Sequence, residues 1–232
     1  MSSERERALV PVLLSLTAVT GLVDAASVLG LGRVFTANMT GNVVFLGFAA
    51  AGAPGLSLVR SGAALLAFVV GAAIGGRIGA PIGAGSVERP TSAALGLEAA
   101  LLFAATGMAF GAGSDLSHVP ARLYAVIGLT GFAMGVRNAV VRKLAVPDLT
   151  TTVLTMTITG LAADSRAAGG DGPRWSRRVA SVAIMFAGAA AGAWLVAWSV
   201  AHALAVAGVV STLAGLSARG RLRHAETTVA PH

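Results

Sequence analysis

Two stretches of this chain carry residues that suit chemistry inside a polar pocket. In the first, Thr36, Asn38, Thr40 and Asn42 crowd within seven positions; in the second, Asp148, Thr150, Thr151 and Thr152 do the same. Asn and Asp are good helix N-caps, and each stretch stands before an apolar run, Ala37–Gly52 in one case and Asp148–Ala163 in the other. A helix start presents unpaired N–H groups and a partial positive charge, so it can hold an anion or a polar solute. The hydroxyls and amides add donors and acceptors with no fixed charge to neutralise. The structural alternative is capping plus interhelical hydrogen bonding, which Ser, Thr and Asn supply routinely in membranes. Asp148 works against an anion at its side unless it is protonated or paired.

Single ionisable residues stand out against apolar surroundings. Asp24 and Glu98 each sit well inside an apolar run, and Arg137 lies near the inner end of the fourth such run. A charge at that depth costs about 2.5–3.5 kcal/mol on insertion scales, so it must face a partner or water. Asp24 and Glu98 read as proton-coupling groups; for Asp24 a cation ligand or a structural anchor, and for Glu98 interhelical bonding, are the other readings. Arg137 is expected to pair with Asp148 or Asp24, or to reach the headgroups with Arg142 and Lys143. There is no His/Glu metal spacing, phosphate-binding Gly-Lys-Ser/Thr loop or Gly-x-Ser-x-Gly elbow, and no Cys to serve as nucleophile or thiolate ligand. Neither enzymatic activity nor a metal or other cofactor is expected.

The elements that position these residues follow from composition. Of 232 residues 55% are apolar and 12% charged, with 30 Gly and a mean hydropathy of +0.78. Soluble domains carry about 25% charged residues, so a soluble fold is excluded and the bilayer is the expected partner. The net charge of +7 lies in short clusters between apolar runs, which marks topology rather than nucleic-acid binding. Six segments approach the roughly 20 residues needed to cross a membrane: about 8–31, 58–80, 91–113, 121–142, 178–198 and 201–218. The two polar-tipped helices reach only about 24 Å each and are too short to cross comfortably.

Charge decides between eight spans and six. If the short helices cross and the N-terminus is inside, 11 Lys and Arg lie inside and 6 outside; if they re-enter, the inside count is 14 and only Arg33, Arg60 and Arg122 stay outside. Basic residues favour the cytoplasmic side, so six spans with two re-entrant helices and both termini cytoplasmic is the expected arrangement.

The halves also repeat. At an offset of 110, Gly21, Asn38, Thr40 and Val43 fall on Gly131, Asp148, Thr150 and Val153; at 117, Arg60, Gly71 and Gly75 fall on Arg177, Gly188 and Gly192. Three spans per copy invert the second copy in the bilayer, a recurring build of transporters. The expected fold is therefore an all-α polytopic membrane protein with six transmembrane helices, two short re-entrant half-helices and a three-plus-three inverted repeat. Its parts are a cytoplasmic N-terminus (1–7), a first repeat (8–113), a second (121–218) and a basic cytoplasmic tail (219–232) whose arginines lie against anionic lipid. Gly71, Gly75, Gly188 and Gly192 are read as packing positions at the pseudo-twofold interface, and a homo-oligomer is compatible with the sequence. Gly107 and Gly111 repeat the same spacing.

Gly21-Leu-Val-Asp24-Ala25 with Thr36-Ala37-Asn38-Met39-Thr40-Gly41-Asn42, and Gly135-Val-Arg137-Asn138-Ala139 with Pro147-Asp148-Leu149-Thr150-Thr151-Thr152, resemble the signatures of YoaK-like bacterial membrane proteins. The resemblance implies a small multi-pass protein of the bacterial inner membrane and brings no activity with it. The second motif lacks the glycine that Gly41 provides in the first. The function expected from the residues is a transporter or channel for a small polar or ionic solute, its site formed where the two half-helix starts meet near the midplane. The alternative is a non-transporting scaffold or lipid-interacting protein.

Overall fold

The computed structural model describes residues 3–172 and 174–229. Eight α-helices follow in order: α1 (Ser3–Gly30), α2 (Met39–Ala50), α3 (Leu58–Ile78), α4 (Glu88–Ala109), α5 (Pro120–Leu144), α6 (Thr155–Ala163), α7 (Trp175–Trp198) and α8 (Val200–Val229). Six of them, all but α2 and α6, are long and apolar enough to cross a membrane. At 1.5 Å per residue α2 and α6 reach only about 18 and 14 Å, far short of a hydrocarbon core of about 30 Å. A single extended residue, Ser199, separates α7 from α8, and its hydroxyl accepts from Ala201 N (3.2 Å) to start the new helix. The basic tail is no separate segment: α8 continues through it to Val229, and Arg219 and Arg223 pair with Glu88 at 3.2 and 3.5 Å. Residues 230–232 of that stretch lie outside the described residues.

Hydrogen bonds fix which helix ends lie together. At the end of the bundle where the chain begins, Arg177 pairs with Glu6 (2.7 Å), Arg5 donates to Gly85 O (3.5 Å) and Arg219 pairs with Glu88. At the far end, Leu116 N donates to Gly30 O (2.9 Å), Val200 N to Gly113 O (3.0 Å) and Arg60 Nη1 to Gly32 O (3.0 Å). Each long helix thus runs against its predecessor. The chain from α1 to α3, with α2 in it, leaves from and returns to the far end. The chain from α5 to α7, with α6 in it, does so at the N-terminal end, where Arg177 also donates to Pro147 O (3.5 Å).

The layers follow from which helices are buried. The spans of α1 and α5 are 67% and 61% buried, those of α3 and α7 only 22%. A centre of α1, α4, α5 and α8 is flanked by α7 on α1 and by α3 on α5, with α6 lying on α7 and α2 on α3. Glycine permits the two closest pairings. A Cβ at Gly71 or Gly75 would strike the backbone of Phe132 or Val136, and one at Gly135 that of Phe68. On the other flank a Cβ at Gly188 would strike the Ala18 carbonyl, one at Gly192 would sit 2.8 Å from Ala25 Cβ, and one at Gly21 would strike α7. Gly107 and Gly111 meet nothing within 4 Å, so that Gly-x-x-x-Gly pair packs no helix among the described residues. The outer faces are apolar, as at Leu66, Phe186 and Trp194, which suits contact with lipid.

Candidate functional site: a buried arginine between two anchored loops

Arg137 lies in the third quarter of α5, and none of its surface reaches solvent. Its Nη1 donates to Glu98 Oε1 on α4 (3.0 Å) and to Leu16 O on α1 (3.2 Å), while Nη2 donates to Thr20 Oγ1 (2.6 Å). The expectation that it pairs with Asp148 or Asp24 is corrected: the α1–α4–α5 crossing brings Glu98, itself fully buried, into its reach. Ser211 of α8 lies beside Glu98, so all four central helices meet here. The network is incomplete. Arg137 Nε is buried with no hydrogen-bond partner among the described residues. Buried polar groups are nearly always partnered, so this atom calls for an explanation.

On the far-end side of this crossing, Asp24 Oδ1 accepts from Ala37 N (3.2 Å) and ties the loop before α2 to α1. Asn38 caps α2 by accepting from Gly41 N (3.4 Å). Asn42, expected to line a solute site, is instead spent on the protein: its Oδ1 accepts from Phe35 N (2.9 Å) and its Nδ2 donates to Phe35 O. Gly41 is required because a Cβ there would lie 2.6 Å from the Phe35 ring, which stacks on Phe45. The Thr-Gly-Asn string thus reads as a clamp on Phe35. Thr40 is exposed, and the Thr36 hydroxyl is buried without a partner among the described residues. Asn42→Ala would strand both backbone groups of Phe35. We expect a loss of about 1–3 kcal/mol, read as earlier thermal unfolding in detergent, with no such loss for Thr40→Ala.

The second loop departs further from expectation. The helix expected from Asp148 starts only at Thr155, and its N-cap, Leu154, makes no side-chain cap. Asp148 and Thr151 adopt positive φ (64° and 65°), which is incompatible with a right-handed helix running through 148–154. The Asp148 carboxylate is drawn instead to α7, where Arg174 Nε (2.7 Å) and Arg178 Nε (3.1 Å) neutralise it. Arg178 also holds Asp164 (2.7 Å) and Gly160 O, clamping both ends of the α6 segment onto α7. Thr152 donates to Asn138 Oδ1 (2.7 Å) and ties this loop to α5 as Asp24 ties the first to α1. Thr150 donates to Val153 O (2.9 Å), and the Thr151 hydroxyl is buried without a partner among the described residues.

The two clusters do not meet. Because α2 lies on α3 and α6 on α7, the half-helix starts approach the central crossing from opposite flanks, Asp24 on one side and Asn138 beside Arg137 on the other. Asn138, Thr150 and Thr152 line a cavity of about 760 Å³ between α3, α5 and the second loop, with Arg142 and Lys143 also on its wall. That volume lies in the range of small-molecule sites. Sequence reasoning missed Thr20, Ser211 and the clamp Arg178. Nothing in the spacing of Thr20 or Ser211 separates them from ordinary small polar residues, whereas Arg178 adjoins the repeat position Arg177.

Six apolar spans around a buried ion pair define an all-α polytopic membrane protein. Residues 12–217 match the family described as "Protein of unknown function (DUF1275)", and the chain belongs to that family. It is 35% identical over 158 residues to the UPF0700 transmembrane protein YoaK of Bacillus subtilis (strain 168). The match covers 66% of this chain and 65% of YoaK, so the chain spans just under two thirds of that relative's length. No solved structure matches.

Proposed function

We propose that this chain is an inner-membrane transporter or channel for a small polar or ionic solute, built as a three-plus-three inverted repeat. In this arrangement α2 re-enters from one face and α6 from the other. The pairing of elements supports it: α3 packs on α5 as α7 packs on α1, α4 meets α5 as α8 meets α1, and α2 lies on α3 as α6 lies on α7. Exchange of the two halves maps each of these pairings onto the other, and α4 on α8 onto itself. The far end carries only Arg33, Arg60 and Arg122, so the N-terminal end is the cytoplasmic one.

The observation that carries the functional reading is the buried Arg137–Glu98 pair with a valence left over, at a depth where ionisable groups are expensive and mark ion or solute paths. The path passes the Arg137 side chain where it bridges α5 to α1. Thr36, Asn38, Thr40 and Asp24 flank it towards the far end; Asn138, Thr150 and Thr152 flank it towards the cytoplasm. With Asp148 already neutralised and Arg142 and Lys143 on the cavity wall, the cytoplasmic mouth favours a neutral or anionic solute. Asp24 and Glu98 serve as the proton-coupling groups.

Solute flux into proteoliposomes tests this. A broad panel of small polar and anionic solutes should yield at least one whose flux falls tenfold or more in Asp24→Asn and Thr152→Val. No flux that depends on either residue would end the reading. One observation favours a non-transporting scaffold instead: Asn42 and Asp24 both satisfy backbone groups of the first loop. That reading predicts lower thermal stability for both variants and no flux to lose.

A further inference from the structure

A second cavity, of about 490 Å³, lies between α4 and α8 at the N-terminal end. Its floor is apolar and shallow: Ala93, Gly96 and Ala100 of α4 face Gly215 and Leu216 of α8, and Phe103 closes the deep end. A Cβ at Gly96 would meet nothing within 4 Å among the described residues, so packing within the chain does not account for that glycine. Arg89 and Arg219 stand at the mouth. Arg89 is exposed and makes no hydrogen bond or ion pair among the described residues, and Arg219 pairs with Glu88 (3.2 Å), so the two arginines at the mouth face one carboxylate. One turn below Arg89, Ser92 stands on the same wall.

We propose that this groove binds one anionic phospholipid of the leaflet at the N-terminal end. Its phosphate sits between Arg89 and Arg219, and an acyl chain lies along the floor. From Arg89 to Phe103 the groove is about 21 Å long at 1.5 Å per residue, enough for one leaflet of a core about 30 Å thick. Basic pockets between transmembrane helices are suited to phosphate headgroups. Charge separates this occupant from a second copy of the chain. A twofold axis along the membrane normal would bring two sets of Arg89 and Arg219 face to face, whereas a lipid phosphate neutralises one set. The corresponding groove at the far end, lined by Phe110, Trp198 and His202 among others, carries no arginine and lacks that attraction. The proposal stands whether or not the chain transports anything.

Native mass spectrometry of the full chain, released from nanodiscs of equal phosphatidylglycerol and phosphatidylethanolamine, tests it. One phosphatidylglycerol should be retained per chain, and retention should fall at least tenfold in Arg89→Gln/Arg219→Gln. Gly96→Leu, which fills the floor and keeps both charges, should do the same. Arg221→Gln should not, because Arg221 faces Glu4 and Arg7. Thermal unfolding of each variant checks that it remains folded. Equal retention of the two lipids, or retention indifferent to both groove variants, overturns the proposal. So does a disulfide-linked dimer from Gly96→Cys in this naturally Cys-free chain, which would assign the groove to a second copy.

Discussion

Replacing Arg137 with methionine is expected to cost about 3–5 kcal/mol, the largest single-residue loss in the centre of the protein, because it leaves the Glu98 carboxylate buried with no counter-charge. The measurement is thermal unfolding in detergent, and its second arm is the double variant Arg137→Met/Glu98→Leu. Removing both charges also removes both desolvation penalties, so the double variant should regain most of the lost stability. It then separates two roles. If the pair serves solute movement, the stable double variant carries no flux in proteoliposomes. If the pair only staples α4 to α5, the double variant folds and behaves as the parent does. A double variant as unstable as Arg137→Met would show instead that the bonds from Arg137 to Leu16 and Thr20 carry the stability.

The second large effect is expected at the glycines that let flanking helices touch the centre. A Cβ at Gly71 or Gly188 has no side chain to push aside, only the carbonyl-bearing backbone of Phe132 or Ala18. Gly71→Val and Gly188→Val should each cost at least the roughly 1–3 kcal/mol of an overpacked core, and flank separation should appear as new protease sensitivity in α3 or α7. Gly107→Ala is the control: its Cβ meets nothing, and alanine is the better helix former by about 1 kcal/mol, so stability should hold or rise slightly. Equal losses at all three positions would mean that the close approaches at Gly71 and Gly188 are not what holds the flanks.

Much of this was legible in the chain, and what was not has a common cause. The six spans are long, uniformly apolar runs whose signal survives any neighbour, and α2 starts within two residues of its expected position because Asn38 caps it locally. The paired glycines stand out by recurring at a fixed offset. The start of α6 was misplaced because Pro147-Asp148 carries local start signals, while the outcome was decided by Arg174 and Arg178, some thirty residues away. The partner of Arg137 was likewise hidden: Asp148 and Asp24 stood as its candidates in sequence, and only the crossing of α1, α4 and α5 selects Glu98. Periodicity tells which face of a helix is apolar but not which helix covers it. That is why the two short helices were expected to meet and instead lie on opposite flanks.

The claim beneath the functional reading is that the halves point in opposite directions, with each short helix turning back to the face it came from. Single cysteines placed in the Cys-free chain and challenged with a membrane-impermeant maleimide in sealed, oriented vesicles test it directly. Ala51→Cys, after α2, should label from the same side as Ser114→Cys; Ala167→Cys, after α6, should label from the opposite side, together with Ser86→Cys. Labelling of Ala51→Cys from the side of Ser86→Cys, or of Ala167→Cys from the side of Ser114→Cys, would mean that a short helix crosses, and the inverted arrangement would be wrong.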